Sequence, residues 1–156
     1  MSDPIIAAAR RAAEEAFAVL RTAVDGLDAT ALNARPAGAD TNSIAVLTTH
    51  AAKSARFLLG IAVGQPPVPR DRPAEFATTV TGPEALLGII DLARAESLAA
   101  LDEAGSVDWS TTRTFPRADG TTAEMTAAWA LIHGIDHLRG HADEAALTRH
   151  VVTASR

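Results

Sequence analysis

The chain has 156 residues, 47% hydrophobic and 21% charged, with 14 Lys and Arg against 19 Asp and Glu. At this length a single domain over residues 1–156 is expected, able to bury roughly 70% of the surface its unfolded form exposes. The absence of cysteine excludes disulfides, thiolate metal ligands, iron–sulfur clusters and a cysteine nucleophile, while a net charge of −5 without a basic stripe speaks against nucleic acid.

The hydrophobic fraction is dominated by 35 alanines, with aromatics at only 4% and no tyrosine. Alanine has the highest helix propensity and lets helices approach closely, so an all-α domain is predicted. No apolar run approaches the roughly 18 residues of a membrane span, and the first ten residues lack the order of a signal peptide. A cytoplasmic protein with no membrane partner is therefore expected.

Asp3 followed by Pro4 reads as a helix cap with proline in the first turn, and Ile6, Ala9, Ala13, Phe17, Leu20, Val24 and Leu27 recur at helical spacing. Residues 28–41, with Pro36, Gly38 and Asp40, read as a loop. Asn42 and Ser43 are good caps for a second helix reaching about Val63, and His50 lies inside it. Residues 64–73 hold Pro66, Pro67, Pro69 and Pro73 and read as an extended connection. Thr81 and Glu84 have capping-box spacing ahead of a third helix that Gly105 ends.

Between residues 107 and 120, Trp109, Thr112, Thr114 and Phe115 favour extended structure, and Asp119-Gly120 marks a turn, so a short hairpin fits there. Thr121 and Glu124 again have capping-box spacing, which starts the last helix at that point. Met125, Trp129, Ile132, Leu138 and Leu147 then supply apolar positions as far as about Val152. Four amphipathic helices without an internal repeat predict a four-helix bundle. Its connections, roughly 14 to 17 residues each, exceed the 2 to 8 usual between antiparallel neighbours, so simple up-down topology is not assumed and the loops are expected to gather at a functional end.

Three of the five histidines, His133, His137 and His141, lie four apart on the last helix. Side chains at that spacing sit one turn above each other, so either adjacent pair can chelate one ion. All three cannot, because His133 and His141 are about 12 Å apart along the axis. A third ligand must come from another helix, and His50 is the only other histidine in a helix interior. Gly134 and Gly140 suggest a close approach to the backbone, by a ligand or by a packed helix.

The stretch WALIHGIDHLRGH over residues 129–141 resembles the last helix of the DinB-like superfamily. TNSIAVLTTH over residues 41–50, followed by Arg56 and Phe57, resembles its second helix. The resemblance implies a four-helix bundle of DinB-like type holding one divalent metal on His50, His137 and His141, with His133 as an accompanying residue; imidazole ligands suit zinc, nickel, copper and iron alike, and zinc, nickel or iron is expected. It further implies a thiol-dependent S-transferase or isomerase of the kind that uses mycothiol or bacillithiol. The mycothiol-dependent maleylpyruvate isomerases carry glutamate where His137 stands, so this three-histidine set resembles the broader superfamily more than that isomerase.

Three neutral imidazoles leave a divalent ion its full charge, making it a strong Lewis acid toward a thiol or water. A protein without cysteine obtains a thiol only from a low-molecular-weight cosubstrate, so a small-molecule thiol and an electrophile are the expected partners, and a homodimer is compatible with the pattern. The alternative is a non-enzymatic metal- or small-molecule-binding bundle with a stress or regulatory role. Arg139 and Arg149 are candidates for a cofactor carboxylate, or else surface residues. Asp136, Asp143 and Glu144 are candidate acceptors for an imidazole N–H, or solvated charges. Trp129 reads as a core residue or a pocket floor, and His150 as a dipole partner near a helix end.

Overall fold

A computed structural model describes residues 3–117 and 119–154 of the chain. The fold is mostly helical, with one two-stranded sheet. Six α-helices are present among the described residues: α1 (Pro4–Val24), α2 (Ala29–Asn33), α3 (Ile44–Val63), α4 (Arg72–Phe76), α5 (Glu84–Glu103) and α6 (Ala127–Ala154). The four long ones enclose the core. The single-turn helices α2 and α4, and a short turn of tighter helix at Gly38–Asp40, lie in stretches where loops were expected. Pro73 does not prevent α4, because it sits in the first turn, where its missing N–H costs nothing.

Local chemistry sets the long helices. The Asp3 carboxylate accepts from the Ile5 N–H ahead of Pro4, and the Ser43 hydroxyl accepts from the Val46 N–H. Gly64 closes α3 in the left-handed conformation, with φ of 90°. Neither expected capping box forms. Pro83 stands at the start of α5 without a side-chain bond, so Glu84 is the first helical residue and cannot reach back as the third. Thr121 is drawn instead into the hairpin turn, donating both its N–H and its hydroxyl to Asp119.

That turn joins β1 (Thr112–Pro116) to β2 (Thr122–Thr126), paired antiparallel with Phe115 opposite Ala123. The hairpin extends six residues further than the sequence reading placed it, and α6 starts at Ala127 rather than near Thr121. β-Branched threonines on both strands favour this pairing over a helical turn.

Ion pairs reveal the helix directions. Arg10 at the start of α1 binds Asp102 at the end of α5 at 2.8 Å, and Arg21 near the end of α1 binds Asp91 early in α5, so these helices are antiparallel. Arg56 on α3 pairs with Glu96 on α5, and Gly60 and Ala100, each four residues further on, line one pocket with them, so α3 and α5 are parallel. The connection between them therefore returns along the molecule, and Val80 near its end exchanges two hydrogen bonds with the Asn33 side chain at 2.7 and 2.9 Å. α6 runs parallel to α1, where the Arg149 guanidinium donates to the carbonyls of Thr22, Ala23 and Asp25 that α1 leaves open at its end.

The core is filled by Phe17, Leu20, Ile44, Leu47, Leu59, Leu86, Ile90, Leu101 and Leu138, with alanines letting the backbones come close. Gly134 marks the closest approach: a Cβ there would lie 3.0 Å from Leu58 Cβ and 3.2 Å from Leu59 Cδ2. Its role is helix packing. Gly140 faces open space and has no such role. Trp129, Ile132 and Leu147, apolar positions of the last helix, are exposed, which removes the core reading of Trp129, and no described helix is long and apolar enough to cross a membrane.

Candidate metal centre

The contact of α6 with α3 at Gly134 carries His137, one turn further on, against His50 near the middle of α3. Their Nε2 atoms are 3.3 Å apart. His141 completes the group, with ring centroids 4.5 Å from His137 and 5.1 Å from His50. One nitrogen from each of the three lies within 4.8 Å of the others, so the group could hold a metal ion. His133 lies outside it. Its ring stacks on Trp129, parallel within 2° at 5.6 Å, and Trp129 is 56% exposed, so that tryptophan is not a core residue.

The nitrogens are oriented from behind. His50 is 4% exposed, and its Nδ1–H donates to Glu75 Oε2 at 2.9 Å, leaving Nε2 to face the other imidazoles. His141 Nδ1 meets Glu144 Oε2 at 3.0 Å in the same way. Glu144 is thus a partner for an imidazole, whereas Asp143 pairs with Arg139 on the surface. His137 Nδ1 is buried with no hydrogen-bond partner.

Arg70 lies in the stretch 64–73 read as an extended connection and Glu75 two residues past it, and no motif in the sequence singles out either. Glu75 is fully buried and receives Arg70 Nε at 3.0 Å and Nη2 at 2.6 Å. Arg70 also donates to Ser54 Oγ at 3.3 Å. Burial alone would raise the Glu75 carboxyl, but hydrogen bonds from His50 and Arg70, with the guanidinium charge, outweigh it and hold the group at about 2. The one available signal was a carboxylate in a short capped turn, Asp71 accepting from the Ala74 N–H, next to a proline-rich run.

Burial is also the main influence on His137. With the like charges of His141, His50 and His133 and that of Arg70, it lowers the ring from 6.5 to about 4, so at neutral pH His137 is uncharged and one of its nitrogens holds a free lone pair. The donor set fits a divalent metal on this structure's own geometry. A tetrahedral ion with bonds of about 2.0–2.1 Å sets its nitrogens about 3.3 Å apart, which matches the His50–His137 spacing. Backing of metal-binding imidazoles by carboxylates such as Glu75 and Glu144 is the usual way such ligands are oriented.

A helical fold with three convergent histidines on two facing helices defines the class, and comparison with known proteins defines the family. The DinB superfamily model matches residues 12–145, and the chain belongs to that superfamily. No curated protein matches the sequence. Among solved structures, the chain is similar to a conserved protein from Enterococcus faecalis, with a TM-score of 0.74, 17% identity and 99% of each chain covered. At that identity the likeness establishes the fold.

Proposed function

We propose that this protein is a divalent-metal-dependent enzyme of the thiol S-transferase or isomerase type, with His50, His137 and His141 as the metal ligands. The observation that carries the reading is the set of three imidazoles whose facing nitrogens are freed by outward partners, Glu75 for His50 and Glu144 for His141. Bound there, a divalent ion would lower the pKa of a coordinated thiol or water toward neutrality.

The chain's own residues do the rest. Glu75 fixes the tautomer of His50, and Arg70 neutralises Glu75, so the ligand set stays neutral while its supporting shell is satisfied. His137, depressed to about 4, holds no proton at neutral pH that a metal would have to displace. None of the three ligands carries negative charge, so they leave the ion's charge for a fourth ligand. With no cysteine in the chain, that ligand, if a thiol, is a small molecule.

Metal analysis of the purified protein tests the centre. The reaction is tested by following conjugation of an aryl electrophile with mycothiol, bacillithiol, glutathione and free cysteine, with chelator-treated protein as the control. Faster reaction with the metal-loaded protein for at least one thiol is expected. If metal binds but no thiol reacts faster, a non-enzymatic metal-binding role replaces this reading.

A further inference from the structure

Beside the metal centre lies a cleft of about 660 Å³, bounded by the proline-rich connection and the hairpin. Phe57 and Phe115 form its apolar wall, with ring centroids 5.4 Å apart edge to face. Arg70, Arg72 and Arg117 line it, and Asp119 is its one acidic lining residue. Arg70 is committed to Glu75. Arg72 and Arg117 form no ion pair among the described residues, whereas Arg10, Arg11, Arg21, Arg56, Arg94 and Arg139 all do. Arg139 and Arg149, the sequence-level candidates for binding a carboxylate, are occupied elsewhere by Asp143 and by the carbonyls ending α1.

In a chain of net charge −5, a half-apolar cleft that carries Arg72 and Arg117 against the single carboxylate of Asp119, which offsets part of the Arg117 charge, keeps a positive balance and marks a place for an anion. The cleft also connects to the centre. His50, Ser54 and Phe57 share one face of α3, and Arg70 touches Ser54, Glu75 and the cleft. Seven residues of helix separate His50 from Phe57, about 10 Å, the length of a small organic molecule.

We propose that this cleft binds an organic carboxylate with an aromatic body, the carboxylate held by Arg72 and Arg117 and the ring set against Phe57 and Phe115. The assignment of that molecule as the electrophile of the thiol reaction rests on the function proposed above. Binding itself needs only the cleft. The test is fluorescence titration with naphthoate and with its neutral counterpart naphthamide, on metal-loaded and chelator-treated protein, using wild type, the double variant Arg72→Gln/Arg117→Gln, and Arg139→Gln as a control.

Naphthoate is expected to bind more tightly than naphthamide and to lose about tenfold or more in the double variant, the factor expected from losing charge-assisted hydrogen bonds. Naphthamide and the Arg139 control should be unaffected. Both substituted arginines in the cleft are exposed, so the fold should survive, and circular dichroism confirms it. Equal affinity for the two probes, or unchanged naphthoate binding in the double variant, overturns the proposal. If metal analysis shows that the protein binds no metal while naphthoate still binds, the metal-enzyme reading fails and the anion cleft stands.

Discussion

The His50 Nδ1–H donates to Glu75 Oε2 at 2.9 Å, a bond between a residue of α3 and a residue of α4 that are both buried. Two different losses follow from altering Glu75. Glu75→Gln keeps an acceptor for His50 but removes the charge that pairs with Arg70, and metal affinity should fall about 10–100-fold, as for other partners of metal-binding histidines. Glu75→Ala strips Arg70 of its counter-charge in a setting where its side chain is only 18% exposed, and should cost about 3 kcal/mol of stability. Competition with a chromogenic chelator measures the first and urea denaturation the second. Wild-type metal affinity in Glu75→Gln would show that the bond does not tune the centre.

Alanine substitution separates the histidines. His50→Ala and His141→Ala should each lose stoichiometric metal after dialysis against a mild chelator, while His133→Ala keeps it, because the His133 ring stacks on Trp129 outside the convergent group. The opposite pattern, with metal lost in His133→Ala and kept in His141→Ala, would move the centre one turn along α6. In wild type, metal present at one hundred times its Kd should add about 2.7 kcal/mol to stability, so chelation should lower Tm without abolishing the fold.

The features that sequence reading reached are those written in local chemistry. The cap at Asp3 and Pro4, the cap at Ser43, the close of α3 at Gly64 and the spacing of His137 and His141 all depend on neighbours within a turn or on helical period, whereas His50, 87 positions from His137, is reached as the one other histidine inside a helix and by the family resemblance. Glu75 escaped because it acts on a residue 25 positions earlier, through a fold-back of the connection that no periodicity encodes. The start of α6 was misplaced because Thr121 and Glu124 satisfy a capping pattern and a strand pattern alike, and pairing of β2 with β1 decided between them. Apolarity alone does not mark the buried side of α6: Trp129 and Leu147 are exposed, and that side is supplied by Ala130, Leu131, Gly134, Leu138, Ala142 and Ala145.

Acid should destabilise the metal-free protein in two windows. His137 is depressed from 6.5 to about 4, so between these values the unfolded chain takes a proton that the native ring refuses. Its contribution is fully present above pH 6.5 and is lost as pH falls to about 4. Glu75, lowered from 4.5 to about 2, contributes above pH 4.5 and loses that contribution between there and pH 2. Urea midpoints across pH should therefore decline in both ranges. His137→Leu should flatten the upper one and Glu75→Gln the lower, and an unchanged slope between pH 6.5 and 4 in His137→Leu would contradict the assignment.

Gly134 and Gly140 are both helical glycines of α6 beside a histidine, and the same substitution should have opposite effects at the two. Replacing glycine by alanine in a helix gains about 1 kcal/mol of propensity, and at Gly140, where nothing lies within 4 Å of the added methyl, that gain should appear as raised stability. At Gly134 the methyl would meet Leu58 Cβ at 3.0 Å, and the β-carbon of a packed helix cannot swing aside. Relief requires α6 to move away from α3, at an overpacking cost of about 1–3 kcal/mol that matches or exceeds the propensity gain. The same displacement would draw His137 away from His50, whose Nε2 atoms stand 3.3 Å apart. Gly134→Ala should therefore weaken metal binding while Gly140→Ala leaves it intact. Thermal melts of the metal-free variants and chelator competition on the loaded ones measure the two effects, and unchanged metal affinity in Gly134→Ala would mean that the α3–α6 contact does not set the spacing of the centre.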